Sequence, residues 1–158
     1  MTAPGAIRSM LVALDQSERK TEVLRAAARL ARAPQPKVYL IRVLLIPPQI
    51  PPGAHMRPDG LEPMLVKQAE AELHGLMADL PDIAFGIPLV VIDGNPWRRI
   101  VETSKALDVD LVIVGNHKHH GLDIVFESVA TKVVNHADRD VLVVRVRDVP
   151  GPAAARSG

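Results

Sequence analysis

Short apolar runs alternate with amphipathic stretches along the chain. Ser9–Met10–Leu11–Val12–Ala13–Leu14 is unbroken and stops at Asp15, the pattern of a strand buried on both faces. From Glu18 to Arg32 the residues Val23, Leu24, Ala27, Ala28, Leu30 and Ala31 fall at helical spacing between charges, and Pro34 and Pro36 end the helix. Asp15 or Ser17 is placed to cap it. Lys37 to Leu45 is β-branched and apolar, a second buried strand. Residues 46–60 then hold two proline pairs and Pro58, which predicts a mostly extended loop. It is long for a connection inside a domain, as a mobile segment or a lid would be.

Glu62 to Leu80 reads as an amphipathic helix, with Leu65, Ala69, Leu73, Leu76, Met77 and Leu80 near one face and Pro81 closing it. Phe85 to Ile92 is a third strand, and Pro88 within it points to a sheet edge because proline cannot donate to the ladder. Asn95 and Pro96 form an N-cap and first-turn pair for a helix reaching Leu107, with Ile100, Val101, Ser104 and Leu107 on one face. Asp110 to Val114 is a fourth strand, Leu122 to Ala137 contains a fourth helix, and Val141 to Val146 is a fifth strand. Residues 1–147 thus form one domain. Residues 148–158, rich in Pro, Ala and Gly, form a disordered tail in this reading.

Five buried-type strands alternating with four helices predict an α/β three-layer sandwich with a parallel sheet. If the order reverses beside strand 1, it is 3-2-1-4-5, which puts Pro88 at an edge. Ligands of such sheets bind beyond the carboxyl ends of the strands at the reversal. The loops there are Asp15–Gln16–Ser17 and Gly115 to Ser128.

Composition narrows the function. Net charge is +1, too balanced to suggest nucleic acid, and 3% aromatic residues exclude a base-stacking platform. No cysteine is present, so thiolate metal sites and cysteine nucleophiles are excluded. No apolar run approaches the length of a membrane span, and Met1–Thr2–Ala3–Pro4 lacks the start of a signal peptide. These features suit a cytoplasmic protein. No serine lies in a Gly-x-Ser-x-Gly context, and no nucleophile–base pair stands out. His117, His119 and His120 are common metal-ligand types, but adjacent loop residues diverge, so the loop reads as solvated polar chain rather than as a metal site. His136 is placed to cap a helix C-terminus, Trp97 to pack at the start of helix 3, and Arg98–Arg99 to form a solvated face.

Four segments resemble the universal stress protein family: MLVALDQSE, IRVLL, GNPWRRIVETSKALDVDLVIVGNH and ESVATKVVNHADRDVLVVR. The resemblance spans roughly residues 7–147. It implies a flavodoxin-like, Rossmann-like fold with sheet order 3-2-1-4-5. It also implies a homodimer paired through strand 5, Val141 to Val146, whose apolar edge would otherwise be open. The family's nucleotide-binding branch carries Gly-x-x-Gly, nine residues, then Gly-Ser or Gly-Thr. Glycines there let the backbone approach phosphates. Here Gly115 and Ser128 are kept, with Val129 after them, while Lys118 and Glu127 stand in glycine positions. By the same resemblance Asp15 matches the acidic residue beside the adenosine, and Val43 an apolar residue whose backbone meets the adenine. Asp15, Val43, Gly115, Lys118, Ser128 and Val129 therefore form the candidate nucleotide site. Two readings follow: a dimeric, non-enzymatic stress-response module with weak or no ATP binding and no other cofactor, or a nucleotide switch with a remodelled loop and slow hydrolysis.

Overall fold

In the computed structural model, which describes residues 5–17, 19–32, 34–45, 61–116 and 128–145, strands and helices alternate strictly. Their order is β1 (Ser9–Ala13), α1 (Lys20–Leu30), β2 (Lys37–Leu44), α2 (Leu61–Ala78), β3 (Leu89–Ile92), α3 (Pro96–Ala106), β4 (Leu111–Asn116), α4 (Val129–His136) and β5 (Asp140–Arg145). All pairings are parallel, and the sheet order is β3-β2-β1-β4-β5. The α/β fold and the predicted strand order are both observed.

The period of two along each strand divides the core. Met10 and Val12 of β1 join Val38 and Leu40 of β2 against Val23, Leu24 and Ala27 of α1 and Leu73 of α2. Leu11 between them faces the other way, with Ile41 and Val112, against Ile100 and Val101 of α3 and Ala130 and Val133 of α4. Two helices therefore cover each face, and the central strands carry apolar residues on both faces because neither meets water.

Several predicted boundaries are corrected. The third strand does not begin at Phe85, which makes only an isolated bridge to Val38; β3 begins at Leu89, directly after Pro88. Proline lacks the amide that would continue the ladder. Pro88 does lie at the sheet edge, directly before the end strand β3. The helix of the first crossover begins at Lys20 rather than Glu18, and Leu30 on its predicted inner face is exposed. The helix before β5 starts at Val129, where Ser128 adopts extended φ and ψ as its N-cap. It lies within Leu122 to Ala137, the stretch expected to contain it; residues 122–127 are outside the described residues, as are residues 46–60 and 148–158. β5 is not buried like the other strands: Leu142 and Val143 are 36% and 37% exposed.

Two contacts away from the carboxyl end of the sheet carry testable stability. The amide of Gly86 donates to the Val38 carbonyl at 2.9 Å, holding this segment beside β2. A Cβ there would lie 2.5 Å from the Tyr39 ring. Gly86→Ala is expected to cost about 1–3 kcal/mol through this overpacking, read by urea denaturation. At the amino end of β4, Asp110 Oδ2 accepts the amides of Arg8 at 2.7 Å and Ser9 at 3.1 Å, tying β1 to β4. The Arg8 amide above all holds the Asp110 carboxyl below its usual range, against the opposing effect of burial. A depressed folded value means the stabilisation is complete above the unfolded value and is lost as pH falls through the folded one. Asp110→Ala is expected to cost about 1–2 kcal/mol at about pH 7, the difference from the parent shrinking toward about pH 3.

Candidate functional site

The carboxyl ends of β2, β1 and β4 lie side by side at one end of the sheet. Ala13 is level with Ile41, and Val12 with Ile113. Continued along the parallel strands, this register sets Asp15 just past β1 near the level of Val43 in β2, with Gly115 near the end of β4. The amide of Leu14 still donates to Ile41 at 3.0 Å, so the chain leaves the sheet only at Asp15. A crossover helix runs back against its strand, so the N-terminus of α4, with Ser128 and Val129, also lies at this end. The structure thus gathers five of the six sequence candidates. Lys118 lies outside the described residues, as do Glu127 and the histidines at 117, 119 and 120.

The polar side chains here serve the local backbone. Asp15 Oδ1 accepts the Ser17 amide at 2.9 Å and the Ser17 hydroxyl at 2.6 Å. That closes an Asx turn and does not cap α1, whose N-cap position is Arg19 with no side-chain cap bond. Two residues separate Ser17 from the first helical residue, which leaves Asp15 too early in the chain to reach the orphan amides. Ser128 Oγ accepts the Thr131 amide at 3.1 Å, an N-cap worth about 1 kcal/mol. Asn95 likewise precedes Pro96 at the first helical position, but its side chain makes no cap bond; Asp93 Oδ1 instead accepts the Asn95 amide at 2.9 Å.

Arg99 is not part of a purely solvated face. Its Nε donates to Asp93 Oδ2 at 3.1 Å, and its guanidinium lies 3.7 Å from Glu102. The Asn95 amide chiefly, and Arg99 with it, hold the Asp93 carboxyl below the usual range. Arg98 sits 5.8 Å above the Trp97 ring. His136 Nδ1 lies 2.8 Å from the Lys132 carbonyl, the C-terminal role expected of it, and its ring stacks at 4.4 Å on Trp97. Trp97 packs against the core at the start of α3. Among the described residues, no cluster of three or more His, Asp or Glu is placed to hold a metal.

Sequence reasoning passed over Arg42. It lies in β2, 1% exposed. Its Nη1 donates to Glu72 Oε2 on α2, and its Nη2 to the Asp15 carbonyl at 3.3 Å. Lys20 Nζ is 3.8 Å from the same Glu72 oxygen. The hydrogen bond from Arg42 is the main cause that lowers the Glu72 carboxyl below its usual range. Arg42 Nε is buried without a partner among the described residues, an arrangement that costs about 1–3 kcal/mol. The available signal was a single charge interrupting the apolar run KVYLIRVLL.

Comparison with known proteins now adds lineage to geometry. The family model described as universal stress protein family matches residues 6–145. The chain is 27% identical over 144 residues to universal stress protein A homolog 1 of Coxiella burnetii, covering 89% of this chain and 98% of that one. A solved structure of the hypothetical protein MJ0577 superposes with TM-score 0.73 at 23% identity, over 91% of this chain and 99% of the other. A universal stress protein from Archaeoglobus fulgidus, solved in complex with dAMP, superposes with TM-score 0.60 at 21% identity, over 87% and 98% of the two chains.

Proposed function

The chain belongs to the universal stress protein family, and we propose that within it this protein is a homodimeric, cytoplasmic stress-response module that binds adenine nucleotide weakly and carries out no conventional catalysis. The observation that carries this reading is where the polar groups of the cleft point. Asp15 closes its own turn and Ser128 caps its own helix, while Lys118 and Glu127 replace two motif glycines. The positions of Asp15, Val43 and Gly115 leave room for an adenosine in this reading, while Lys118 and Glu127 put side chains where two glycines would let the amides approach the phosphates, and Glu127 adds a carboxylate. Dimerisation is supported by β5, which among the described residues pairs with β4 alone, with Leu142 and Val143 exposed on it and Val134 exposed on the neighbouring α4.

The Archaeoglobus structure in complex with dAMP favours a second reading: a nucleotide switch with a remodelled loop, in which the Lys118 ammonium offsets the lost glycine contact. Slow hydrolysis belongs to that reading alone. Equilibrium dialysis with labelled ATP separates the two. Binding only at millimolar ATP supports the weak-binding module. Micromolar binding that is lost in Ser128→Ala overturns it in favour of the switch.

A further inference from the structure

Buried ion pairs in a strand are poor stabilisers, because desolvation offsets most of the Coulombic gain. Arg42 bears that desolvation cost although Glu72 is half-exposed, and its guanidinium also leaves one N–H without a partner among the described residues. What its position does supply is a link. One nitrogen holds the carbonyl of Asp15, where the chain leaves the sheet toward the cleft, and another holds Glu72 in the middle of α2, with Lys20 of α1 on the same carboxylate. Three elements on one side of the sheet thus meet through one side chain directly beneath the loop after β1.

We propose that Arg42 is a positioning residue for the cleft, fixing the height and orientation of the Asp15–Ser17 turn by clamping the Asp15 carbonyl to α2 through Glu72. The proposal rests on the reading that this end of the sheet receives adenine nucleotide. Arg42 does not touch the ligand; it sets the backbone that does. Because β2 and α2 flank the loop 46–60 in sequence, the clamp also ties the Asp15 turn to the element that leads out of that loop.

The test compares Arg42→Met, Arg42→Lys and Glu72→Gln with the full parent chain. Methionine fills the same apolar slot, and Glu72, 44% exposed, returns to water. Arg42→Met is therefore expected to keep the parent's melting temperature within a few degrees. In the ligand-free protein, hydrogen exchange of the Ser17 amide, which donates to Asp15 Oδ1, is expected to accelerate about tenfold in Arg42→Met, corresponding to about 1.4 kcal/mol. Arg42→Lys, which keeps a donor, recovers part of the protection, and Glu72→Gln loses part of it. ATP titration of the same proteins is expected to show a roughly tenfold weaker dissociation constant for Arg42→Met. Unchanged exchange at the turn in a folded Arg42→Met, or in Glu72→Gln should Arg42→Met not fold, overturns the proposal. If the parent binds no ATP while the exchange pattern responds as described, the nucleotide reading fails and the positioning role stands.

Discussion

Replacing Glu127 with glycine is expected to tighten ATP binding about a hundredfold, the largest single gain open to this cleft. In the family's nucleotide-binding pattern that position is a glycine directly before the hydroxyl residue, which here is Ser128. In the proposed nucleotide site a carboxylate at that position opposes the charge of the phosphates. At a separation of about 5 Å and an effective dielectric of about 20, two like charges repel by about 3 kcal/mol, and 1.4 kcal/mol is a factor of ten. Ser128 already stands at the start of α4 with its hydroxyl on the Thr131 amide, so the helix terminus survives the change. Loss of an acidic residue near a helix start costs about 0.3–1 kcal/mol of stability, a small reduction in melting temperature. Glu127→Gln, which removes the charge and keeps the bulk, should recover most of the gain if repulsion dominates. Calorimetric titration of both variants reads the split, and equal weak binding in all three proteins would sink the electrostatic account.

In the proposed β5 dimer, substituting Val143 with lysine is expected to raise the dissociation constant by at least about a hundredfold. Val143 lies on β5, opposite Val114 in the parallel ladder, with its other side unpaired. Lysine on an edge strand is a device by which sheets prevent edge pairing. In a two-fold interface the substitution enters twice, so a modest cost of about 1.4 kcal/mol per protomer suffices for the hundredfold effect. Sedimentation velocity over a concentration series measures it, with melting temperature as the check on the fold. A dimer of unchanged affinity would place the interface elsewhere.

How much of this was legible beforehand differs by element. The strand order could be read because β1, β2 and β4 carry apolar residues on both of their faces, with Arg42 the one buried charge inside them, and only a sheet covered on both faces suits that pattern. β5 has the same pattern for a different reason. Its run reads as buried, yet Leu142 and Val143 meet solvent in the single chain; apolarity reports that a surface is covered without saying whether by the chain itself or by a second copy. Asp15 was correctly placed beyond β1, but its hydrogen bonds depend on where α1 begins, and helix boundaries follow from competing local options. Arg42 was visible as an anomaly in its strand. Its meaning was not, because Glu72 lies thirty residues further along the chain and only the packing of α2 brings the two together.

The division of the core by the sheet has a consequence for optical measurement. The chain has one tryptophan and one tyrosine. Trp97 and Tyr39 both belong to the cluster beneath α3 and α4, and Trp97 lies against the His136 ring. Tryptophan emission and near-ultraviolet dichroism therefore watch one layer of helices and are nearly blind to α1 and α2, whereas far-ultraviolet dichroism counts all four. Unfolding curves from the two kinds of signal will coincide only if the layers melt together. A gap between them would show the α1–α2 side loosening first, with no label added to the protein.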